Sequence, residues 1–490
     1  MKPFQIVVIL AVYFSILFLI SYFTGKGANN DTFFKAERKA PWFLVAFGMI
    51  GATLSGVTFI SVPGWVEASQ FSYIQVVLGN ILGYLVIVFV LLPVYYKLKV
   101  TSIYQYLDYR FGKVSYKTGA AFFFISRIIG SAFRLFLVAI VLQHFVFDAW
   151  HVPFVVTVIV SILLIWLYTA KGGIKTVIWT DTFQTLFMLV SVFVTVIFIL
   201  KKLEWGVTDI FTAPEMRPYT KTFFTSDFLA KDYFWKSFIG GAFITIAMTG
   251  LDQDMMQKNL TIEHLKDAQK NILSYSAVFI PVVILFLILG ALLYVYAAAE
   301  GITLPDRADL VFPEIAINGN LGMGLSVIFL LGLIAAAYSS ADSALTALTT
   351  SFCIDFLDIE KREPQKQKRI RQQTHVGISA LLVVVIVIFN YVLDDSVIDL
   401  LFMAASYTYG PLLGLFAFGI FTKIKVKDKW VLLVAILSAA VTFALGQIPA
   451  AYLGGYQVNY ELLVLNGALM FLGMFLIREP RAVKGDTPQS

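Results

Sequence analysis

Gly48-Met49-Ile50-Gly51-Ala52-Thr53-Leu54-Ser55-Gly56-Val57-Thr58 lies in the middle of an apolar run near residues 42–64. Glycine, serine and threonine are poor helix formers, so a helix through this stretch is expected to break near its centre. At membrane depth, irregular backbone is tolerated only where its freed carbonyls line a cavity or meet an ion. A second apolar run, near 234–257, is interrupted in the same way by Thr249-Gly250, just before Leu251-Asp252-Gln253-Asp254. Two interrupted runs in corresponding places predict a chain built from two related halves.

The surroundings of these stretches fix the class. A spanning helix needs roughly 20 mostly apolar residues. Thirteen runs qualify, near 4–23, 42–64, 73–98, 118–147, 153–169, 177–200, 234–257, 271–298, 322–355, 376–393, 396–422, 430–453 and 460–477. Of the 490 residues 59% are hydrophobic and 14% charged, with a mean hydropathy of +0.81. Soluble chains are about 45–50% apolar and about 25% charged, so a soluble enzyme, a nucleic-acid binder and a disordered chain are excluded. The first run reads as a retained span, because it is too long for a signal peptide and no small-residue cleavage site follows it. Cys353 is the only cysteine, and the four histidines (144, 151, 264 and 375) make no metal-ligand spacing. The chain reads as an all-α polytopic membrane protein with about thirteen transmembrane helices.

Basic residues segregate between alternate loops. One side carries 27 of the 37, including Lys26 to Lys39, Lys97 to Lys117, Lys171/Lys175, Lys258/Lys266/Lys270, Lys361 to Arg371, Lys423 to Lys429 and the tail. The other carries seven, Arg307 and Lys2 among them. Lys and Arg concentrate on the cytoplasmic side, which predicts a multi-pass protein of the plasma (inner) membrane with its N-terminus outside and its C-terminus in the cytoplasm. The expected units are 1–40 (first helix and cytoplasmic loop), 41–200 (five helices) and 201–233 (outer loop). They continue with 234–422 (five helices, inverted relative to the first five) and 423–490 (two peripheral helices and a tail). Paired glycine-interrupted helices in inverted halves point to a secondary transporter.

Ionisable groups inside spans cost about 2.5–3.5 kcal/mol on insertion scales, so those present are candidates for function. Arg127 and Arg134 lie seven apart, on one helix face. Arg127, nearer the cytoplasmic end, suits snorkelling or a carboxylate partner that ties helices together; Arg134 lies deeper and suits either those roles or a substrate. Ser339, Ser340, Asp342 and Ser343 form an oxygen-rich cluster in Ala335-Ala336-Ala337-Tyr338-Ser339-Ser340-Ala341-Asp342-Ser343. Small residues and Ser also serve helix packing, but a carboxylate does not, and oxygen ligands suit a hard cation. Asp181 opens the sixth run.

Four further motifs carry a resemblance: Gly172-Gly173-Ile174 with Val177-Ile178-Trp179-Thr180-Asp181, then Asp252 to Lys258, Tyr338 to Ser343, and Gly410-Pro411-Leu412-Leu413-Gly414-Leu415-Phe416. In that order, over roughly 5–430, the chain resembles the sodium/solute symporter family, whose members carry sugars, proline, pantothenate, iodide or sialic acid. The resemblance implies a five-plus-five inverted-repeat core of the LeuT type and sodium as the coupling ion. It implies a first sodium site from carbonyls matching Gly51, Leu54 and Ala336 and hydroxyls matching Ser339 and Ser340; Gly51 stands where the family usually has Ala. A second sodium site, present in some members, matches Asp181, Ser339, Asp342 and Ser343, with Asp342 where Ser or Thr is common. The stretch Ser55 to Phe59 looks most like the sialic-acid branch. Substrate contacts then fall to Thr53, Ser55, Thr58, Tyr73, Gln253 and Arg134, the last matching an Arg that holds the carboxylate. The branch's Gln in the third span matches Val77 here, with Gln75 two residues away.

The expected function is sodium-coupled symport of a small organic solute, a carboxylate such as a sialic acid or a sugar, by alternating access. Proton coupling through Asp181 and Asp342 is the alternative. A channel would need a continuous polar pore, where the polar clusters here are interrupted by Phe and Leu. An enzyme would need a nucleophile with its base or a metal cluster, and a sensor a further domain; the sequence offers none of these. The partners expected are the solute, sodium and the lipid bilayer, without nucleic acid; the oligomeric state stays open, a monomer included.

Overall fold

The structure is a computed structural model describing residues 3–392 and 397–479. Lys2, Arg481 and Lys484, counted above among the basic residues, lie outside the described residues. Each of the thirteen apolar runs is helical over most of its described residues. The first half supplies α1 (Pro3–Thr24), α2 (Trp42–Ser69), α3 (Tyr73–Leu98), α4 (Lys113–Leu142), α5 (Phe154–Thr169) and α6 (Ile174–Lys202). The seventh run divides into α7 (Phe234–Gly250) and α8 (Gln253–Leu260), bent by 62°. The remainder are α9 (Leu265–Glu300), α10 (Met323–Phe356), α11 (Pro364–Val392), α12 (Val397–Phe421), α13 (Asp428–Gly446) and α14 (Glu461–Leu476). Ten of these, among the described residues, are individually long and apolar enough to cross a membrane, and α7 with α8 would be an eleventh if the bent pair is one span. The other two, α5 and α14, have 16 residues each, about 24 Å of helix and so short of a full bilayer core. β-Pairing among the described residues is a single bridge, Val426 to Arg478.

Sequence chemistry explains the layout. α11 begins at Pro364, well before its apolar run, because Pro suits the first helical position and the Lys, Gln and Arg that follow are good helix formers. α2 packs against α6, α9 and α10, and α10 also against α4. The alanine and serine run 335–341 lets α10 approach its neighbours closely. Accordingly 78% of the most apolar window of α4 is buried, against 22% for α1 and for α13, which lie at the periphery. α3 and α7 meet at glycines: an added Cβ at Gly79 would strike the Phe238 carbonyl, and one at Gly241 the Val76 carbonyl.

The two interrupted runs are interrupted as expected. α2 is helical on both sides of Ser55, which itself has φ 51 and ψ 171. α7 ends in a π-helical turn, Ile246–Gly250, before the bend. Ser55, Thr249 and Gly250 at these breaks are all buried.

Candidate functional site

An α-helical carbonyl is satisfied by the N–H four residues on. The break at Ser55 therefore frees carbonyls in the turn just before it, 51–54. That turn faces α10. Ser340 Oγ lies 3.4 Å from the Ala336 carbonyl and 3.5 Å from the Ala52 carbonyl, long for hydrogen bonds, so the hydroxyl is only loosely held. Gly51 lets α6 come close: a Cβ there would run into Thr185 Oγ1, with Thr185 Cα 3.3 Å away.

Behind this lies a buried charge cluster. Ser339 Oγ donates to Asp181 Oδ1 at 2.6 Å, and Lys258 Nζ stands 2.7 Å from Asp181 Oδ2. Asp342 Oδ2 accepts from the Tyr168 hydroxyl at 2.8 Å and from Thr180 Oγ1 at 3.3 Å, while its Oδ1 is buried without a partner. Ser343 donates instead to Asp254 Oδ1, and Asp254 is ion-paired to Arg127. Of the four residues matched to a second cation site, Ser339 and Asp181 are thus joined directly, and Ser343 is turned to another carboxylate.

A cavity of about 100 Å³ opens beside the break. Thr53, Ser55, Thr58, Tyr73 and Arg134 all line it. Arg134 is 9% exposed, its Nε is buried without a hydrogen-bond partner, and no carboxylate lines the cavity. Thr53 Oγ1 accepts from the Tyr275 hydroxyl at 2.8 Å, and that hydroxyl lies 2.8 Å from Tyr84. Ligand sites usually measure about 300–1,000 Å³, so the side chains around this cavity must part for a solute to enter.

Some expectations need correction. Gln253 does not line the cavity: its amide donates to the Thr101 carbonyl at 2.9 Å and accepts from Ile103 N at 2.9 Å, fastening α8 to the segment after α3. Gln75 is spent holding the outer loop, donating to the Asp232 carbonyl at 2.8 Å and accepting from Phe224 N at 3.0 Å. Lys258, counted above with the cytoplasmic loops, is 1% exposed and paired to Asp181. Arg127 does tie helices together, reaching Asp254 and, at 3.6 Å, Asp252, and it lines the cavity as well. Sequence reasoning missed Asn80, Tyr84, Met248 and Phe279 in the lining. A lone Asn in an apolar span carried a signal for the first; the others are apolar or aromatic residues without one.

A profile described as the sodium:solute symporter family matches residues 33–429. The chain is 25% identical over 416 residues to a sodium/sialic acid symporter of Aliivibrio fischeri, covering 82% of this chain and 80% of that one. It is 26% identical over 433 residues to a sodium/sialic acid symporter of Proteus mirabilis, covering 84% and 83%. A solved structure of a Na+-coupled sialic acid symporter in a substrate-bound outward-open state superposes with a TM-score of 0.82 at 21% identity, over 97% of this chain and 98% of that one. Sodium coupling is what these findings support, and the proton alternative gains nothing from them. The chain, a multi-pass membrane protein with a LeuT-type core, belongs to the sodium:solute symporter family and is a sodium-coupled symporter of a small solute.

Proposed function

We propose that the solute is an acidic sugar of the sialic-acid kind, held by Arg134 beside the break in α2. The observation that carries this is a deeply buried guanidinium lining a cavity that contains no carboxylate. A buried guanidinium whose Nε has no hydrogen-bond partner is costly to leave so, and a carboxylate is its strongest complement. Ser55 and Thr58, on the same cavity wall, are placed to meet hydroxyls. The names of the two bacterial relatives point the same way.

Sodium binds, on this reading, between the turn at 51–54 and α10. Its ligands are the carbonyls of Gly51, Leu54 and Ala336 with the hydroxyls of Ser339 and Ser340. The donor set fits a hard cation, being all oxygen, and the loosely held Ser340 hydroxyl is free to turn toward an ion. Binding fixes the broken helix against α10, which shapes the adjoining cavity for the solute. The bundle then rocks to open the site inward. With the basic face in the cytoplasm, the membrane potential drives the ion in. At about 2.3 kcal/mol per charge per 100 mV, one sodium supports roughly fifty-fold accumulation before its own gradient is counted.

Proteoliposomes with an inward sodium gradient are expected to accumulate N-acetylneuraminate, and an equal potassium gradient is not. Sodium-dependent uptake of a neutral sugar with no uptake of the acidic one would overturn the substrate assignment.

A further inference from the structure

A second, larger cavity of about 440 Å³ lies between the end of α5 and the start of α11, away from the solute site, with Phe33, Trp166, Lys171, Arg371 and His375 in its walls. Arg371 is 3% exposed. Its guanidinium lies 4.5 Å from the centre of the Phe33 ring, and Nη1 donates to Asn30 Oδ1 at 2.8 Å and reaches the Asn29 carbonyl at 3.4 Å. Its Nε remains buried with no acceptor, as does Trp166 Nε1. His375 is not free to serve: its two nitrogens lie 3.0 Å from Thr169 Oγ1 and 2.8 Å from Thr349 Oγ1. Lys171 adds an exposed ammonium, and no acidic residue lines the cavity. Asp31, in the adjoining groove, lies 3.6 Å from Lys35.

Unspent buried donors are expensive. Two of them beside a free ammonium, without a carboxylate, describe an anion site. Its position adds the second requirement. Below it the outer face of α5 presents Val156, Val160, Leu163 and Leu167, each 43–49% exposed. α11 presents Val376, Val384 and Ile388, each 51–54% exposed. The cavity therefore sits where a charged helix end meets two lipid-facing apolar stripes.

We infer that this cavity binds an anionic phospholipid, its phosphate held by Arg371 Nε, Trp166 Nε1 and Lys171 and its acyl chains lying along α5 and α11. Such clusters of basic residues at the membrane boundary attract anionic headgroups. Because α5 belongs to the first five-helix unit and α11 to the second, the bound lipid bridges the two. The site is independent of the solute assignment.

The test uses the delipidated full-length protein in neutral detergent, with thermal unfolding followed against added lipid. Phosphatidylglycerol is expected to raise the midpoint saturably, and phosphatidylcholine with the same chains is not. Trp166→Phe, which removes one donor and no charge, and Lys171→Gln are each expected to weaken the apparent affinity about tenfold, the order of one lost charge-assisted contact. Lys425→Gln, an exposed lysine elsewhere in the chain, is expected to leave it unchanged. Equal shifts from the two lipids would overturn the inference, as would unaltered affinity in both cavity variants. A shift reproduced in full by inorganic phosphate would overturn the lipid assignment and leave a soluble-anion site.

Discussion

Single residues carry the sharpest consequences. Arg134→Ala removes the only cation proposed to face the solute's carboxylate. It is expected to lower kcat/KM for an acidic sugar about a hundredfold, the order of a lost charge-assisted pair, with thermal stability preserved. Ser340→Ala removes one of five proposed sodium ligands. The sodium concentration for half-maximal uptake is expected to rise roughly tenfold, about 1.4 kcal/mol, while solute affinity at saturating sodium stays put; unchanged sodium activation would take Ser340 out of the ion site. Lys258→Met strands the Asp181 carboxylate in the protein interior, a loss of about 3–5 kcal/mol visible as a lowered unfolding temperature. Adding Asp181→Asn is expected to restore most of it. Were the single variant as stable as the wild type, the 2.7 Å pair would not be holding α6 to α8.

At the level of elements, the breaks and the spans were readable from composition and the pairings were not. Gly48 to Thr58 announced a break because several weak helix formers coincide in an apolar run, and the structure places it at Ser55. The interruption at Thr249-Gly250 became a 62° bend for the same reason. Gln253, expected from the resemblance as a substrate contact, is instead engaged with the backbone after α3. Only the fold brings residues 101–103 within reach of its amide. Lys258 was misplaced because the residues around it look like a loop, whereas α8 carries it back into the bundle. Gly51 illustrates an element-scale constraint: α2 and α6 pass so closely there that a Cβ meets Thr185. Gly51→Ala is expected to cost about 1–3 kcal/mol through overpacking, measured as a fall in unfolding temperature, and Thr185→Ala on the same chain to recover part of it. If Gly51→Ala were neutral, the Ala usual in the family at this position would fit this chain without adjustment.

For the molecule as a whole, coupling requires that ion and solute stabilise one arrangement of the same broken helix. The turn at 51–54 and the cavity wall at 53–58 are continuous in α2, so an ion that fixes the first orders the second. Reciprocity follows: the factor by which sodium tightens the solute must equal the factor by which the solute tightens sodium. The most direct measurement is the unfolding temperature of the purified protein with and without N-acetylneuraminate, in sodium and in potassium at fixed pH and ionic strength. A rise on adding the acidic sugar in sodium, and none in potassium, is the predicted result. A rise of the same size in both salts would contradict the proposal that ion and solute meet at the break in α2.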